Sequence, residues 1–136
     1  VVAVLLKKKL WTGQLPVEIS DRLLEHLTDP QIFWGDIIIP TVARNDDHYD
    51  PQTMWRGPVW LNINYFFIEA LEQIEEHDLA RTLRERTLDL VMAHPSIYEY
   101  YNAETGEPPS TAADIFGWSA AVFIDLAIKA SEEEGE

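Results

Sequence analysis

The sequence contains 136 residues, a length typical of one domain, and 46% of them are hydrophobic, which is enough for a real core. Its formal net charge of −14 at pH 7 argues against a nucleic-acid partner, because such partners are bound largely by Lys and Arg side chains. The absence of cysteine excludes disulfides, thiolate zinc sites and a cysteine nucleophile, and leaves the cytoplasm as the default compartment.

The first half of the chain begins with an apolar run and continues with a helix and a long loop. Residues 1–6 are apolar but fall far short of the roughly 20 residues that a bilayer span needs, so no membrane partner is expected. Residues 16–28 carry apolar side chains at helical spacing, and Asp29-Pro30 ends the predicted helix. Residues 33–60 combine prolines and glycines with several aromatic side chains, which predicts a long, ordered loop of functional character.

The middle of the chain predicts a helical hairpin. Apolar residues between Ile63 and Ile74 recur at helical spacing, and a second helix is predicted from Leu79 to Val91. Since only a short break at residues 76–78 separates the two helices, they must pack antiparallel.

The last third of the chain predicts an extended piece, a helix and a tail. Residues 97–102 form the extended piece, and residues 117–130 form a helix that is apolar nearly all round, which predicts an inner, buried position. Residues 131–136 are an acidic tail that we expect to be disordered. Residues 1–136 are therefore predicted to be a single all-α domain with functional loops.

Glu99 lies in the run Tyr98-Glu99-Tyr100-Tyr101-Asn102 and is the carboxylate that best suits catalysis. Three tyrosines can wall a carboxylate from bulk water while they offer hydroxyl groups, which is how an enzyme tunes a carboxylate as a base. The alternative is an edge segment whose glutamate faces solvent. The local sequence taken alone favours that alternative.

The run from Trp55 to Asn62 suggests a sugar site. Flat indole faces, such as those of Trp55 and Trp60, stack well on the apolar faces of sugar rings, and Arg56 and Asn62 can form directional hydrogen bonds to hydroxyl groups. The alternative is structural, with both tryptophans as core residues and Asn62 as the cap of the following helix. Composition favours neither interpretation.

The acidic run Asp46-Asp47-His48, with Asp50 close behind, is the only candidate for a metal site. It lacks the glycine and the terminal glutamate of a calcium loop, and no second histidine lies at zinc-like spacing. We interpret it as a solvated acidic turn, and expect neither a metal nor a cofactor.

Several runs in a fixed order resemble the C-terminal part of glycoside hydrolase family 63. That family includes processing α-glucosidase I and bacterial mannosylglycerate and glucosylglycerate hydrolases, and the chain is more distantly similar to the trehalases. The runs that carry the resemblance are Phe33-Trp34-Gly35, Pro40-Thr41-Val42-Ala43-Arg44, Met54-Trp55-Arg56-Gly57-Pro58-Val59-Trp60-Leu61-Asn62-Ile63-Asn64-Tyr65, Tyr98-Glu99-Tyr100-Tyr101-Asn102-Ala103-Glu104-Thr105-Gly106 and Phe116-Gly117-Trp118-Ser119-Ala120-Ala121.

This resemblance implies part of an (α/α)6 barrel that hydrolyses α-glycosidic bonds with inversion. Inversion uses an acid that protonates the leaving oxygen and a base that activates water. The base of the family corresponds to Glu99. The candidate substrate-binding residues are Trp55, Arg56, Trp60, Asn62, Asn64, Tyr101 and Trp118.

The acid of the family is an aspartate upstream of these runs, in a region that this chain does not contain. A twelve-helix barrel also needs roughly 350 residues at ordinary helix and loop lengths. We therefore expect the last third or so of a catalytic domain, inactive alone, with a small carbohydrate substrate. Its protein partner is expected to be a complementing chain with the N-terminal helices, or further copies of itself. The alternative function is a non-catalytic helical module that binds carbohydrate or protein.

Overall fold

The described part of the chain contains four α-helices, which are joined by ordered loops. The structure, a computed structural model, describes residues 16–133, so the opening apolar run and residues 134–136 of the predicted tail lie outside it. The helices are α1 (Val17–Thr28), α2 (Leu61–Gln73), α3 (His77–Met92) and α4 (Gly117–Glu133). The predicted all-α class is confirmed, since extended pairing within residues 16–133 is limited to isolated bridges. None of these helices is long and apolar enough to cross a membrane.

Helix α1 closely matches the helix predicted from periodicity. It follows Pro16, whose carbonyl oxygen accepts the backbone N–H groups of Ile19 and Ser20 at 3.0 and 3.1 Å. Proline suits this position because a helix start leaves its first N–H groups unpaired in any case. Leu27 is fully buried and anchors the last turn to the core.

Helices α2 and α3 form the predicted antiparallel hairpin. Asn64 Nδ2 donates to Thr87 Oγ1 at 3.0 Å, and nearer the turn Glu72 Oε2 lies 2.6 Å from His77 Nδ1. Since later positions of α2 meet earlier positions of α3, the two helices run in opposite directions. The chain reverses at Glu75, whose φ of 65° is the left-handed conformation that commonly ends a helix.

Helix α4 runs parallel to α2 and contacts both helices of the hairpin. Near its start, the ring of Trp118 lies 6.2 Å from that of Trp60, the residue that precedes α2. Near its end, Lys129 Nζ lies 2.6 Å from Glu69 Oε1 on α2. The starts of α2 and α4 are therefore neighbours, and so are their later turns.

The predicted burial of α4 is not observed within residues 16–133. Among its residues only Ser119 and Leu126 are buried, whereas Ile124 and Ile128 are more than half exposed. The physical reason is that α2 and α3 cover one side of α4, and no other described helix covers the opposite, equally apolar side.

Helix α4 also extends into the predicted acidic tail, where disorder was expected. It continues to Glu133, which accepts a hydrogen bond from the guanidinium of Arg84 on α3. Because Arg84 is 3% exposed, its charge needs such a partner, and the ion pair keeps residues 131–133 helical.

The long loop before α2 is ordered and forms part of the core. Phe33 and Ile39 are almost completely buried in it. Asn64, which is fully buried on α2, donates to Ile38 O at 2.7 Å and accepts from the Ile39 N–H at 3.2 Å. These bonds pair backbone groups that an irregular segment would otherwise bury without partners.

Val59 joins the loop to the extended piece that carries Glu99. Its N–H donates to Tyr101 O at 2.8 Å, and the Tyr101 N–H donates back to Val59 O at 3.0 Å. Val59 also forms a bridge with Pro40 on its other side. The long loop and the segment around Glu99 are thereby held side by side, next to the first turn of α2.

Candidate active site

Four aromatic side chains meet where α2 and α4 begin, and we call them the aromatic platform: Trp55, Trp60, Tyr100 and Trp118. The rings of Trp55 and Trp60 stack with their centroids 3.9 Å apart and their planes 10° from parallel. The ring of Trp60 also lies 5.1 Å from that of Tyr100 and 6.2 Å from that of Trp118. Three of the four were predicted site residues, and the structure brings them together.

The outer ring of the platform belongs to Trp55, which is 47% exposed. Its φ of 60° is rare for so bulky a residue, and strained backbone of this kind is concentrated at ligand sites. The turn is tight because a Cβ at Gly57 would lie 2.4 Å from Asp50 O, so only glycine fits there. The turn therefore holds an exposed indole against Trp60.

The inner side of the platform is formed by Trp60 and Tyr100, which are 3% and 1% exposed. The Tyr100 hydroxyl lies 2.7 Å from Thr111 Oγ1 in the loop that leads to α4. Trp60 Nε1 is buried and has no hydrogen-bond partner within residues 16–133. A cavity of about 510 Å³ lies beside Tyr100, between Thr53 and Ser110.

Glu99 directly precedes Tyr100 and is partly exposed. Its N–H donates to Ala113 O at 2.9 Å, and its carbonyl oxygen accepts from Ser119 Oγ at 3.3 Å. Among the described residues, the carboxylate accepts one hydrogen bond, a long one from the Ala113 N–H at 3.4 Å. The backbone is thus fixed while the carboxylate keeps lone pairs free to accept a proton from a bound water.

The tyrosines around Glu99 lie on opposite sides of the chain and do not form one wall. Tyr100 belongs to the platform, whereas Tyr101 is fully buried beside Val59, and its hydroxyl accepts the Tyr98 N–H at 3.1 Å. Burial raises the pKa of Tyr101. Adjacent side chains on extended backbone point to opposite sides, which explains the division between Tyr100 and Tyr101. Tyr101, a predicted substrate-binding residue, therefore packs in the core, and Tyr100 takes its place at the platform.

The residues predicted to form polar contacts with sugar also divide into two groups, those with unengaged side-chain donors and one that is engaged in the fold. Arg56 is exposed on the turn beside Trp55, where its Nη2 donates to His48 O at 3.4 Å. Asn62 lies in the first turn of α2 and forms no side-chain hydrogen bond with the other described residues. The amide of Asn64 is fully buried and engaged by the long loop and by α3, so this residue serves the fold.

The acidic run considered as a metal site uses its carboxylates within the loop. Asp46 Oδ1 accepts the His48 N–H at 2.8 Å, and this bond lowers the pKa of Asp46. The Thr53 hydroxyl donates to Asp50 Oδ2 at 2.7 Å and lowers the pKa of Asp50. In the part of the chain that the structure describes, no group of three or more His, Asp or Glu side chains is arranged to hold a metal ion.

Three residues that were not predicted as site residues join the long loop to the chain after Glu99, and we call them the loop clamp: Arg44, Tyr49 and Glu104. Arg44 Nε donates to Glu104 Oε1 at 3.2 Å, and Arg44 Nη2 donates to Ala103 O at 3.1 Å. The Tyr49 hydroxyl donates to the same oxygen of Glu104. These partners are 55 to 60 positions apart in sequence, so no local pattern could reveal them.

The class of protein that contains this aromatic platform follows from comparison with known families. The family model described as the mannosylglycerate hydrolase MGH1-like glycoside hydrolase domain matches residues 10–119. The chain belongs to this glycoside hydrolase family. The matched range includes the whole aromatic platform and Glu99, and the resemblance predicted from the ordered runs is confirmed.

Relatives within the glycoside hydrolases include enzymes that act on glycosylglycerates. The mannosylglycerate hydrolase of Rubrobacter radiotolerans is 36% identical over 75 residues, which cover 55% of this chain and 16% of the relative. The glucosylglycerate hydrolase of Mycolicibacterium hassiacum is 31% identical over 121 residues, which cover 85% of this chain and 26% of the relative.

Solved structures match the fold of this glycoside hydrolase chain. The GH63 mannosylglycerate hydrolase from Thermus thermophilus in complex with glucose has a TM-score of 0.70 and 29% identity, with 85% of this chain and 29% of that chain covered. The same enzyme in complex with Tris and D-glycerate also has a TM-score of 0.70. The described helices thus form part of an (α/α)6 barrel, as predicted. The chain spans less than a third of the length of these relatives.

Proposed function

We propose that this chain forms the base-carrying part of the catalytic domain of an inverting α-glycosidase, in which Glu99 activates water. The observation that carries the proposal is that Glu99 adjoins Tyr100, whose ring stacks on Trp60. The carboxylate is therefore carried one residue away from the aromatic platform, whose outer rings Trp55 and Trp118 are 47% and 49% exposed. This pairing suits the reaction, since the surface orders a sugar ring while the carboxylate takes a proton from the attacking water.

The aromatic platform binds the sugar whose glycosidic bond is cleaved. Trp55 and Trp118, which are 47% and 49% exposed, offer indole faces to the apolar side of the ring. Arg56 is exposed and has side-chain donors available for the hydroxyl groups at its rim, and the amide of Asn62, which is 8% exposed, forms no hydrogen bond with the other described residues. With the ring held in this way, water attacks the anomeric carbon from the face opposite the leaving group.

The general acid belongs to a part of the barrel outside this chain. Inversion needs an acid that protonates the leaving oxygen while the base acts on the other face of the sugar. The family resemblance assigns that role to an upstream aspartate. The proposal therefore gives this chain one of the two catalytic carboxyl groups, and it calls for no metal or cofactor.

The proposed substrate is an α-hexoside of glycerate or of an oligosaccharide. The relatives supply both classes, since they include mannosylglycerate hydrolases, a glucosylglycerate hydrolase and mannosyl-oligosaccharide glucosidases. Glucose and D-glycerate are bound in solved neighbours. The hexose is common to these substrates, and it is the part that we assign to the platform.

A second candidate function is carbohydrate binding without cleavage. The platform lies wholly within the described residues, and sugar binding needs no general acid. Titration of the chain with glucose and with a glycosylglycerate, followed by tryptophan fluorescence, measures this binding directly. Trp55→Ala is expected to weaken the affinity about tenfold, which corresponds to about 1.4 kcal/mol. Glu99→Gln is expected to leave the affinity unchanged.

A chimera distinguishes the two functions. The corresponding part of the Thermus thermophilus mannosylglycerate hydrolase is replaced by this chain, and hydrolysis of an α-glycosylglycerate is followed by NMR. Inversion predicts that the β-anomer of the sugar forms first. An α-anomer as first product would contradict the mechanism. Sugar binding by the chain together with an inactive, folded chimera would favour the binding module.

A further inference from the structure

We propose that Tyr49 is a positioning residue that couples the aromatic platform to the segment that carries Glu99. The inference rests on the proposed function and adds a residue that acts through its neighbours. Tyr49 contributes two contacts that point in different directions, one from its ring and one from its hydroxyl group.

The ring of Tyr49 supports the turn that presents the stacked indoles. A Cβ at Gly57 would lie 2.8 Å from Tyr49 Cε2, so the ring and Gly57 are in close van der Waals contact. Gly57 lies between Trp55 and Trp60 in sequence. The same ring packs against the buried cluster that contains Val59. A displacement of the Tyr49 ring therefore moves the turn and changes the stacking of the two indoles.

The hydroxyl of Tyr49 reaches the chain on the other side of the site. It donates to Glu104 Oε1, which Arg44 Nε also approaches at 3.2 Å. The Glu104 N–H donates to Asn102 Oδ1 at 2.8 Å, so Glu104 is fixed to the turn that follows the Glu99 segment. The Tyr49 side chain thus connects the turn that carries the stacked indoles with the turn that follows the Glu99 segment.

The Tyr49 hydroxyl remains a donor at ordinary pH. Burial raises the pKa of Tyr49, and the neighbouring Glu104 carboxylate raises it further, while Arg44 acts in the opposite direction. The hydroxyl therefore keeps its proton, and the carboxylate of Glu104 keeps a donor.

Loss of this hydroxyl is expected to have a graded effect. The Ala103 N–H also donates to Pro51 O at 3.0 Å, and this backbone bond joins the same two segments without Tyr49. Without the Tyr49 hydroxyl, the long loop and the chain after Glu99 stay attached, but they lose the hydrogen bond to Glu104 that fixes the position of the Tyr49 ring. We expect a change in geometry that is detectable well below the unfolding transition.

Tyr49→Phe, in the 136-residue chain, removes the hydroxyl and keeps the ring, and Tyr65→Phe is the matched control. The Tyr65 hydroxyl accepts from Lys129 Nζ at 3.3 Å, so this variant also loses a bond to a charged group. Lys129 lies about 16 Å along α4 from Trp118 by the helical rise per residue. If Tyr49 has a merely structural role, both variants should lose a similar amount of stability, and neither should change the aromatic platform.

The readouts are the circular-dichroism couplet of the stacked Trp55 and Trp60 indoles and the affinity for glucose, both measured in folded protein. Tyr49→Phe is expected to reduce the couplet and to weaken glucose binding about fivefold, a weak but typical coupling between two groups. Tyr65→Phe is expected to change neither. A Tyr49→Phe variant with an unchanged couplet and unchanged affinity would overturn the inference.

A double-mutant cycle tests whether Tyr49 acts through Glu104. In a Glu104→Ala background, Tyr49→Phe is expected to reduce the couplet no further, whereas additive effects would overturn the coupling. The cycle also separates this inference from the proposed function. If the wild-type chain binds no glucose while Tyr49→Phe still reduces the couplet, the coupling is supported and the proposed sugar site is contradicted.

Discussion

Helix α4 meets α2 at both of its ends, through aromatic rings at the first and through charges at the second. At the start, Trp118 lies 6.2 Å from Trp60, and both belong to a surface that is partly open to solvent. Near the end, Lys129 Nζ lies 2.6 Å from Glu69 Oε1 and 3.1 Å from Asp125 Oδ2. The aromatic end leaves ring faces available for a ligand, whereas at the charged end the Lys129 ammonium is paired with carboxylates of α2 and α4.

The two ends also differ in how much stability a single side chain contributes. Trp60 is 3% exposed, so its indole contributes the full hydrophobic gain of burial. Lys129 is 34% exposed in its side chain, and ion pairs open to solvent contribute little because water and salt screen them. The aromatic platform is therefore both the candidate site and a major stabilising element of the fold. The charged groups around Lys129 mainly fix the position of α4 against α2.

The largest effect is expected at the aromatic end. Trp60→Ala removes the ring on which Trp55 and Tyr100 stack. A cavity of this size in a packed core costs about 3–5 kcal/mol of unfolding free energy, which urea denaturation measures. Sugar affinity is expected to be lost with it. A loss of stability comparable to that of an exposed substitution would show that Trp60 is not the centre of the cluster.

Asn64 and Asn62 test the boundary between the site and the fold. Asn64→Ala leaves the Ile39 N–H and the Ile38 carbonyl without their partner and removes one of the two hydrogen bonds of the Thr87 hydroxyl. We expect about 2 kcal/mol less stability with unchanged sugar affinity. Asn62→Ala is the matched control and should weaken the sugar affinity while it leaves the stability unchanged. Weakened sugar binding in a folded Asn64→Ala protein would show that Asn64 contributes to the sugar site.

At the charged end, Lys129→Met should cost less than about 1 kcal/mol, because the ammonium is partly exposed while its aliphatic stem is retained. Salt is expected to reduce this difference further, since it screens the pairs in the wild-type chain. Unfolding in low and high salt measures both values. A loss several times larger, or one that salt does not affect, would mean that the charges carry more of the fold than the rings do.

The smallest predicted effect is a pH dependence at the same end. The ammonium of Lys129, whose Nζ lies 3.1 Å from Asp125 Oδ2, lowers the pKa of Asp125 below the value of 3.8 for an isolated aspartate. A group with a lowered folded pKa stabilises the protein above its unfolded pKa, and this contribution is lost as the pH falls through the folded pKa. Asp125→Asn should therefore show a shallower loss of stability in acid than the wild type. Identical acid profiles would rule out this linkage.

The helices could be predicted from the sequence because each buries a stripe of side chains at regular spacing. The onset of α3 was placed at Leu79, two positions after His77, since the left-handed conformation of Glu75 that reverses the chain leaves no periodic signal. Helix α4 was expected to be buried because its composition reports apolar character but does not specify which face has a partner.

The candidate site could be predicted only in part, for a similar reason. Ordered runs and residue chemistry pointed to Trp55, Trp60 and Trp118, which the structure brings together. Alternation along an extended segment indicates that Tyr100 and Tyr101 face opposite sides, but not which of them faces the platform. The bond between Tyr49 and Glu104 joins positions 55 apart, and such a contact follows only from the folded chain.

The central claim is that Glu99 is the general base of an inverting hydrolysis. Its most direct test is the turnover of the chimera with Glu99→Gln, measured beside its affinity for glucose. We predict that kcat falls by about three orders of magnitude, which is within the range for loss of a general base, while the glucose affinity stays at the wild-type value. A Glu99→Gln chimera that turns over its substrate at the wild-type rate would contradict the account.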